Sequence, residues 1–276
     1  MKLLLGTQLY PWSQHYGSQK QNLTDHWDEV LTQIAASGFD AFEYGFHSLE
    51  EVHQIVPILR RQKLVMQAYY CGGPLHNEQA AATVRRMVAV GILAAQKTGI
   101  NTVVVNPDPL DWTQPVDKND AQLIIQAKAL DRVGAGLRAK GIRLAYHTHD
   151  TEMRQGAREF HAMMTRTDPK NVGLCLDTHW VYRGAGHSQV ALESILALYG
   201  SRVRALHLRQ SSQGVWTECF GPGDIDYRRI VRLLKAARFK GPITLEQARE
   251  NGTPRLLSMV ESHRRSVRYL RKLFDL

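Results

Sequence analysis

The chain has 276 residues, of which 43% are hydrophobic and 22% charged, a balance that excludes a disordered or fibrous protein and suits one α/β barrel of about 250 residues. No apolar run approaches the ~20 residues that cross a bilayer, and the apolar start MKLLL stops at Gly6, too short for a secretory leader; a cytoplasmic protein is expected. The net charge of +9 lies wholly beyond position 227, with 13 Lys+Arg and 4 Asp+Glu from Arg228 onward against 22 of each before it. That excess falls on two predicted helices. It reads as solvated helix faces and not as a phosphate-tracking groove, which would place basic residues beside reactive loops.

The spacing predicts a strand near 3–10, a helix near 24–36 and, after AASG, a second strand near 40–45. A helix near 49–62 follows, with Ser48 and Glu51 as its capping box. Strand, helix, strand and helix come next near 64–70, 78–97, 101–106 and 119–139. The second half continues with strands near 142–148, 172–177, 203–208 and 242–246, and helices near 156–166, 188–199, 226–238 and 254–273. Gly38, Gly99, Gly141 and Gly241 fit the left-handed position just past a helix. The β-branched runs after them lack alternation, as parallel strands buried on both faces do. Eight βα repeats without a long linker predict a single (β/α)8 TIM barrel domain over 1–276. A doubly wound sheet would want a glycine-rich turn after the first strand, and GTQLYPW is not one. Cys71, Cys175 and Cys219 are odd in number and far apart, so reduced buried thiols are expected.

Chemistry in such a barrel sits at the C-terminal ends of the strands. The second predicted strand ends at Glu43, the fourth at Asn106, the fifth at His147 and His149, the sixth at Asp177, the seventh at His207 and the eighth at Glu246. Singly, Asp177 would read as a loop cap, His207 as a satisfied core histidine and Glu246 as a surface charge. Four consecutive strands that each stop on an imidazole or a carboxylate read better as one divalent metal site, because neighbouring strands lie only ~4.8 Å apart. In LAYHTHDTEM, period two sends Tyr146 to the helix layer and His147 and His149 into the barrel at successive depths. One histidine is expected to bind the metal and the other to touch substrate or carry a proton. Asp150 reads as a histidine-orienting acceptor or a turn former, and Glu152 as a substrate contact or the start of the next helix.

The strings YHTHDTE, LDTHWVYRGAG, LHLRQ…GPGDID and TLEQ resemble the sugar phosphate isomerase/epimerase superfamily, the xylose isomerase-like barrels. They look like the branch that reads Y-H-x-H-D on the fifth strand. The resemblance implies one divalent ion (Mn, Co, Mg or Zn) held by a fifth-strand residue, here His147, with Asp177, His207 and Glu246. It implies a small sugar or polyol as substrate, no nucleic-acid or membrane partner, and a chain able to form homo-oligomers. Two features depart from the pattern. The branch's H-L-K-D is H-L-R-Q here, and His147 stands where ketose 3-epimerases carry a glutamate, so Glu246 alone remains of their pair of glutamates.

The mechanism so implied is proton transfer next to a ketone, through an enediolate stabilised by the metal. Glu246 is the expected base, His149 (or His147) serves the other face or protonates a leaving hydroxyl, and Glu152 reaches the substrate. Returning the proton gives an isomerase or epimerase, the expected activity. Losing a β-hydroxyl gives a lyase like the inosose dehydratases, whose fifth strand is also H-x-H. Glu43, Asn106, Trp180, Arg183 and Arg209 are expected substrate contacts, with Trp12, Tyr70, Trp112 and Trp216 as candidates for a stacking wall. Asp224 in GPGDID would repel phosphate, so an unphosphorylated substrate is expected. Rival readings are a three-zinc nuclease like the endonuclease IV barrels and a non-catalytic barrel; the nuclease would need histidines where Tyr70 and Asn106 stand.

Overall fold

The computed structural model describes residues 3–46 and 48–276. The element order is β1 (Leu5–Gln8), α1 (Tyr10–Ser18), α2 (Trp27–Ala36), β2 (Ala41–Tyr44), α3 (Leu49–Gln62), β3 (Val65–Gly73), α4 (Ala80–Thr98), β4 (Thr102–Pro107), α5 (Asp120–Arg138), β5 (Arg143–Tyr146), α6 (Arg154–Arg166), β6 (Val172–Asp177), α7 (Thr178–Gly184) and α8 (Gln189–Tyr199). Then come β7 (Val203–Leu208), a short hairpin of β8 (Ser211–Ser212) and β9 (Val215–Trp216), α9 (Tyr227–Ala236), β10 (Ile243–Leu245) and α10 (Met259–Phe274). Eight strands close into a parallel barrel in the order β1-β10-β7-β6-β5-β4-β3-β2. Among the described residues no helix is long and apolar enough to cross a membrane.

Several elements differ from the sequence reading, four of them for a plain local reason. The first strand stops at Gln8 because Pro11 sits at the first turn of α1, where a ring that fixes φ and lacks an N–H suits a helix start. Residues 178–184, expected as loop, form α7, whose N-terminus Asp177 caps. The hairpin was not expected, since its strands are two residues each. The last helix begins at Met259 and not near 254, where the Ser258 side chain accepts the Glu261 N–H.

Packing density groups the chain into two compact units. The first comprises residues 1–67, 207–232 and 242–276. Its core joins Trp12, Leu31, Ile34, Phe42, Val267 and Leu270, all buried. Trp12, a candidate for the stacking wall, is instead a core residue, with its ring 4.7 Å from that of His263 and its indole N–H donated to Gln33 Oε1 at 2.9 Å. Gln67 donates to the Ile243 carbonyl and to Thr244 Oγ1 at 3.1 and 2.8 Å. It lies so close over Gly6 that a Cβ there would come within 2.4 Å of its amide.

The second unit comprises residues 68–206 and 233–241. Ala68, Val104, Ala145, Cys175 and Ala205, one from each of five strands, make a layer of small buried side chains with Tyr70 packed against it. Small residues leave room above them for larger polar ones. Tyr146, on the opposite face of β5 from Ala145, stacks on Phe160 of α6, so the alternation expected for β5 holds and His147 shares the face of Ala145.

Candidate metal centre

His147 follows β5 directly and is 1% exposed, with its backbone N–H donated to the Val105 carbonyl. Its Nδ1 lies 3.1 Å from Asn106 Oδ1. The Asn106 amide nitrogen donates to the Pro107 carbonyl at 3.0 Å, so the amide oxygen is the atom turned to the imidazole. Nδ1 is therefore the donor in that bond, and in the neutral ring Nε2 keeps its lone pair. Nε2 points at Asp177 Oδ2, 3.5 Å away, too far for a hydrogen bond. Asp177 divides its own oxygens: Oδ1 accepts the N–H groups of His179 and Trp180 at 2.9 and 2.8 Å as the cap of α7, and Oδ2 faces His147.

The same division recurs in the other unit. His207, on β7, is fully buried, and its Nε2 lies 3.0 and 3.2 Å from the two oxygens of Glu43, itself fully buried on β2. The carboxylate holds the ring proton on Nε2, which turns the Nδ1 lone pair toward Glu246 Oε2, 3.6 Å away. Glu246 follows β10 and anchors its backbone N–H on the Leu208 carbonyl. Its other oxygen, Oε1, lies 3.2 Å from Arg209 Nη2.

His147, Asp177, His207 and Glu246 are all buried, and each offers one ligand atom within 4.8 Å of the others. Two imidazole nitrogens and two carboxylate oxygens are the donors that first-row divalent ions and magnesium accept. Two bonds of ~2.1 Å set opposite one another reach ~4.2 Å, so small side-chain adjustments would close the set on one ion. The donor chemistry fits, and every outer atom that must hold a ring or carboxylate in place is engaged.

His149 is half-buried at the next layer, its ring 4.9 Å from that of His147, 5.2 Å from Trp112 and 5.4 Å from Trp180. Its backbone N–H donates to Glu152 Oε2 at 2.7 Å. Glu152 lies in a short 3-10 turn and is 1% exposed; burial, reinforced by the charge of Glu159, pushes its carboxyl up to about 7. Arg183 reaches over Trp180, 5.9 Å from the ring centroid. Three residues expected to meet substrate touch the possible donors: Asn106 lies against His147, Glu43 against His207 and Arg209 against Glu246. The sequence reading passed over Lys118, which is 2% exposed with its ammonium 2.6 Å from Glu159 Oε1. A lysine just before a helix cap gives no sign of burial.

Residues 31–273 match the family described as xylose isomerase-like TIM barrel. The chain belongs to that family. Among relatives of this xylose isomerase-like barrel, the inosose dehydratase of Clostridium perfringens is 28% identical over 177 residues, 57% of each chain, so the match spans little more than half of that relative's length. The inosose dehydratase of Clostridium beijerinckii is 22% identical over 273 residues, 89% of each chain. Solved structures share the fold at lower identity. A sugar phosphate isomerase/epimerase from Parabacteroides distasonis has a TM-score of 0.74 at 16% identity, covering 98% of this chain and 94% of that one. A D-allulose 3-epimerase from Methylomonas sp., in complex with D-allulose, has 0.72 at 15%, covering 98% and 97%. A xylose isomerase-like barrel protein from Mycobacterium smegmatis, in complex with magnesium, has 0.72 at 15%, covering 91% and 89%.

Proposed function

We propose that residues 1–276 form one catalytic domain, a divalent-metal-dependent enzyme that moves a proton at the carbon beside the ketone of an unphosphorylated keto-polyol or keto-sugar, with loss of a β-hydroxyl as water as the outcome. The observation that carries this reading is the buried set of His147, Asp177, His207 and Glu246, with Asn106 and Glu43 fixing which nitrogen of each histidine is offered. When bound there, a divalent ion supplies Lewis acidity for the oxygen charge that develops as an α-proton leaves. Glu246 and His149 are the two proton carriers. An imidazole is suited to protonating a departing hydroxyl near neutral pH, and His149 is a half-buried one held at its backbone by Glu152. Trp112 and Trp180 flank it and give a sugar's apolar face a surface to lie on.

Two further points support the reading. The N–H groups of Gln213 and Gly214, which a phosphate could have used, are taken by the carboxylate of Asp224. Where ketose epimerases carry a second glutamate this chain has His147, and relatives that share 22–28% of its residues bear the name inosose dehydratase. Isomerisation or epimerisation is the second reading, favoured by the same His149, since an imidazole can also return the proton to carbon.

The test is turnover of a panel of keto-inositols and ketoses by Mn2+-loaded protein in deuterium oxide. Dehydration lowers product mass by one water and passes through exchange of the α-hydrogen. An unchanged mass with deuterium incorporated moves the assignment to isomerisation. Turnover without any exchange removes proton transfer altogether.

A further inference from the structure

Arg209 is a buried arginine in the loop after β7, 3% exposed. Its Nε donates to the Glu246 backbone carbonyl at 2.7 Å, and its Nη2 meets Glu246 Oε1 at 3.2 Å. The guanidinium carbon lies over the Trp216 ring, 3.9 Å from its centroid. A planar, permanently charged fork that grips one residue at both main chain and side chain fixes a direction as well as a charge.

The surrounding loop is built to keep it there. Trp216 ends the β8–β9 hairpin, and its backbone N–H donates to Glu250 Oε1 at 2.8 Å. The tip of that hairpin is closed by Asp224, which accepts from Ser211 Oγ, Gln213 N and Gly214 N. Gln210 replaces the acid of the related H-L-K-D string with an amide that works in both senses. It accepts from the N–H groups of Ser211 and Ile225 and donates to the carbonyls of Gly221 and Ile225. Tyr227 donates its hydroxyl to the Arg209 carbonyl. Trp216 and Tyr227 touch Arg209 directly, and the other groups hold the loop and hairpin that carry them.

We propose that Arg209, clamped beneath Trp216 of the hairpin, is a positioning residue that takes Oε1 of Glu246 and so presents Oε2 alone to the metal. The inference rests on the metal-centre reading above and deepens it. A glutamate without that partner can rotate or offer both oxygens, and a ligand whose outer atom is unheld binds metal more weakly, typically by 10–100-fold. Arg209 thereby leaves the set of substrate contacts and joins Glu43 and Asn106 as a holder of a donor.

The experiment is titration with Mn2+, followed by the free-ion electron paramagnetic resonance signal, on the intact chain and on variants shown to be folded by circular dichroism and thermal unfolding. Arg209→Met is expected to weaken Mn2+ by 10–100-fold. Arg209→Lys should recover part of that loss, because it restores the charge but not the fork. Trp216→Leu should weaken binding severalfold, and Trp216→Phe should restore it. In a Glu246→Gln background, Arg209→Met should add little further, since the group it positions is already gone. Unchanged affinity in a folded Arg209→Met, or a loss that multiplies in full with that of Glu246→Gln, overturns the proposal. If Arg209→Met fails to fold, the Trp216 pair decides: equal affinity of the Leu and Phe variants and the parent overturns it. A parent chain that binds no Mn2+ overturns the metal-centre reading and this inference with it, whereas a parent that binds and variants that match it overturn this inference only.

Discussion

Acid should destabilise this protein through one buried histidine. His263 lies on α10 with no solvent exposure, Nδ1 2.8 Å from the Met259 carbonyl and its ring 4.7 Å from that of Trp12. Burial lowers its pKa from an ordinary 6.5 to about 4, with the Met259 carbonyl opposing and Arg249 adding to the shift. The unfolded chain therefore binds a proton that the folded chain refuses. The stability involved is fully present above pH ~6.5 and is lost as pH falls toward ~4, amounting to about 2 kcal/mol by pH 5 and about 3 kcal/mol by pH 4. His263→Phe keeps an aromatic ring against Trp12 and removes the titration. The Met259 carbonyl remains satisfied by the helix's own N–H four residues on. Urea unfolding of parent and variant at pH 7, 6, 5 and 4 should show the parent losing stability relative to the variant by those amounts. Parallel decline of the two proteins across that range would refute the assignment of acid lability to this ring.

Glu152 predicts the opposite slope: its carboxyl is raised to about 7, so its contribution is full below pH ~4.5 and is lost as pH rises through ~7. Glu152→Gln, whose amide oxygen can still accept the His149 N–H, should be less sensitive to pH between 5 and 8 in the same unfolding assay; an unaltered slope would count against it. Glu43→Gln keeps the size of a fully buried side chain but weakens its hold on His207 Nε2. It should raise the dissociation constant for Mn2+ by 10–100-fold, measured by competition with a chelating dye, with equal affinity as the contrary result. Gly6→Ala would drive a Cβ to 2.4 Å from the Gln67 amide and should cost about 1–3 kcal/mol in thermal or urea unfolding.

Much of the barrel can be read along the chain because its signals are local. A glycine past a helix, a β-branched run and a polar stop lie within about ten residues of one another, so KTGINTVVVNP discloses β4 without reference to any other part of the molecule. The short elements have no such period. THWVYRG is two turns long, too brief to show an apolar stripe, and becomes a helix because Asp177 caps it. The hairpin left one trace, Gly214 after Gln213, where φ is +80° and +53° respectively, as a two-residue turn with both central residues left-handed requires. At the candidate metal centre the four possible donors could be read along the chain because barrel geometry converts a strand end into a position. Their holders could not, because a strand end fixes where a residue stands and not what it faces. Glu43 and His207 are 164 residues apart, and Asn106 reads the same along the chain whether it meets a sugar or an imidazole. The structure makes that choice with the second nitrogen of each histidine: a ring that must donate to Asn106 or Glu43 can offer only its other nitrogen inward. The polar strand ends thus divide into residues that hold and residues that are held.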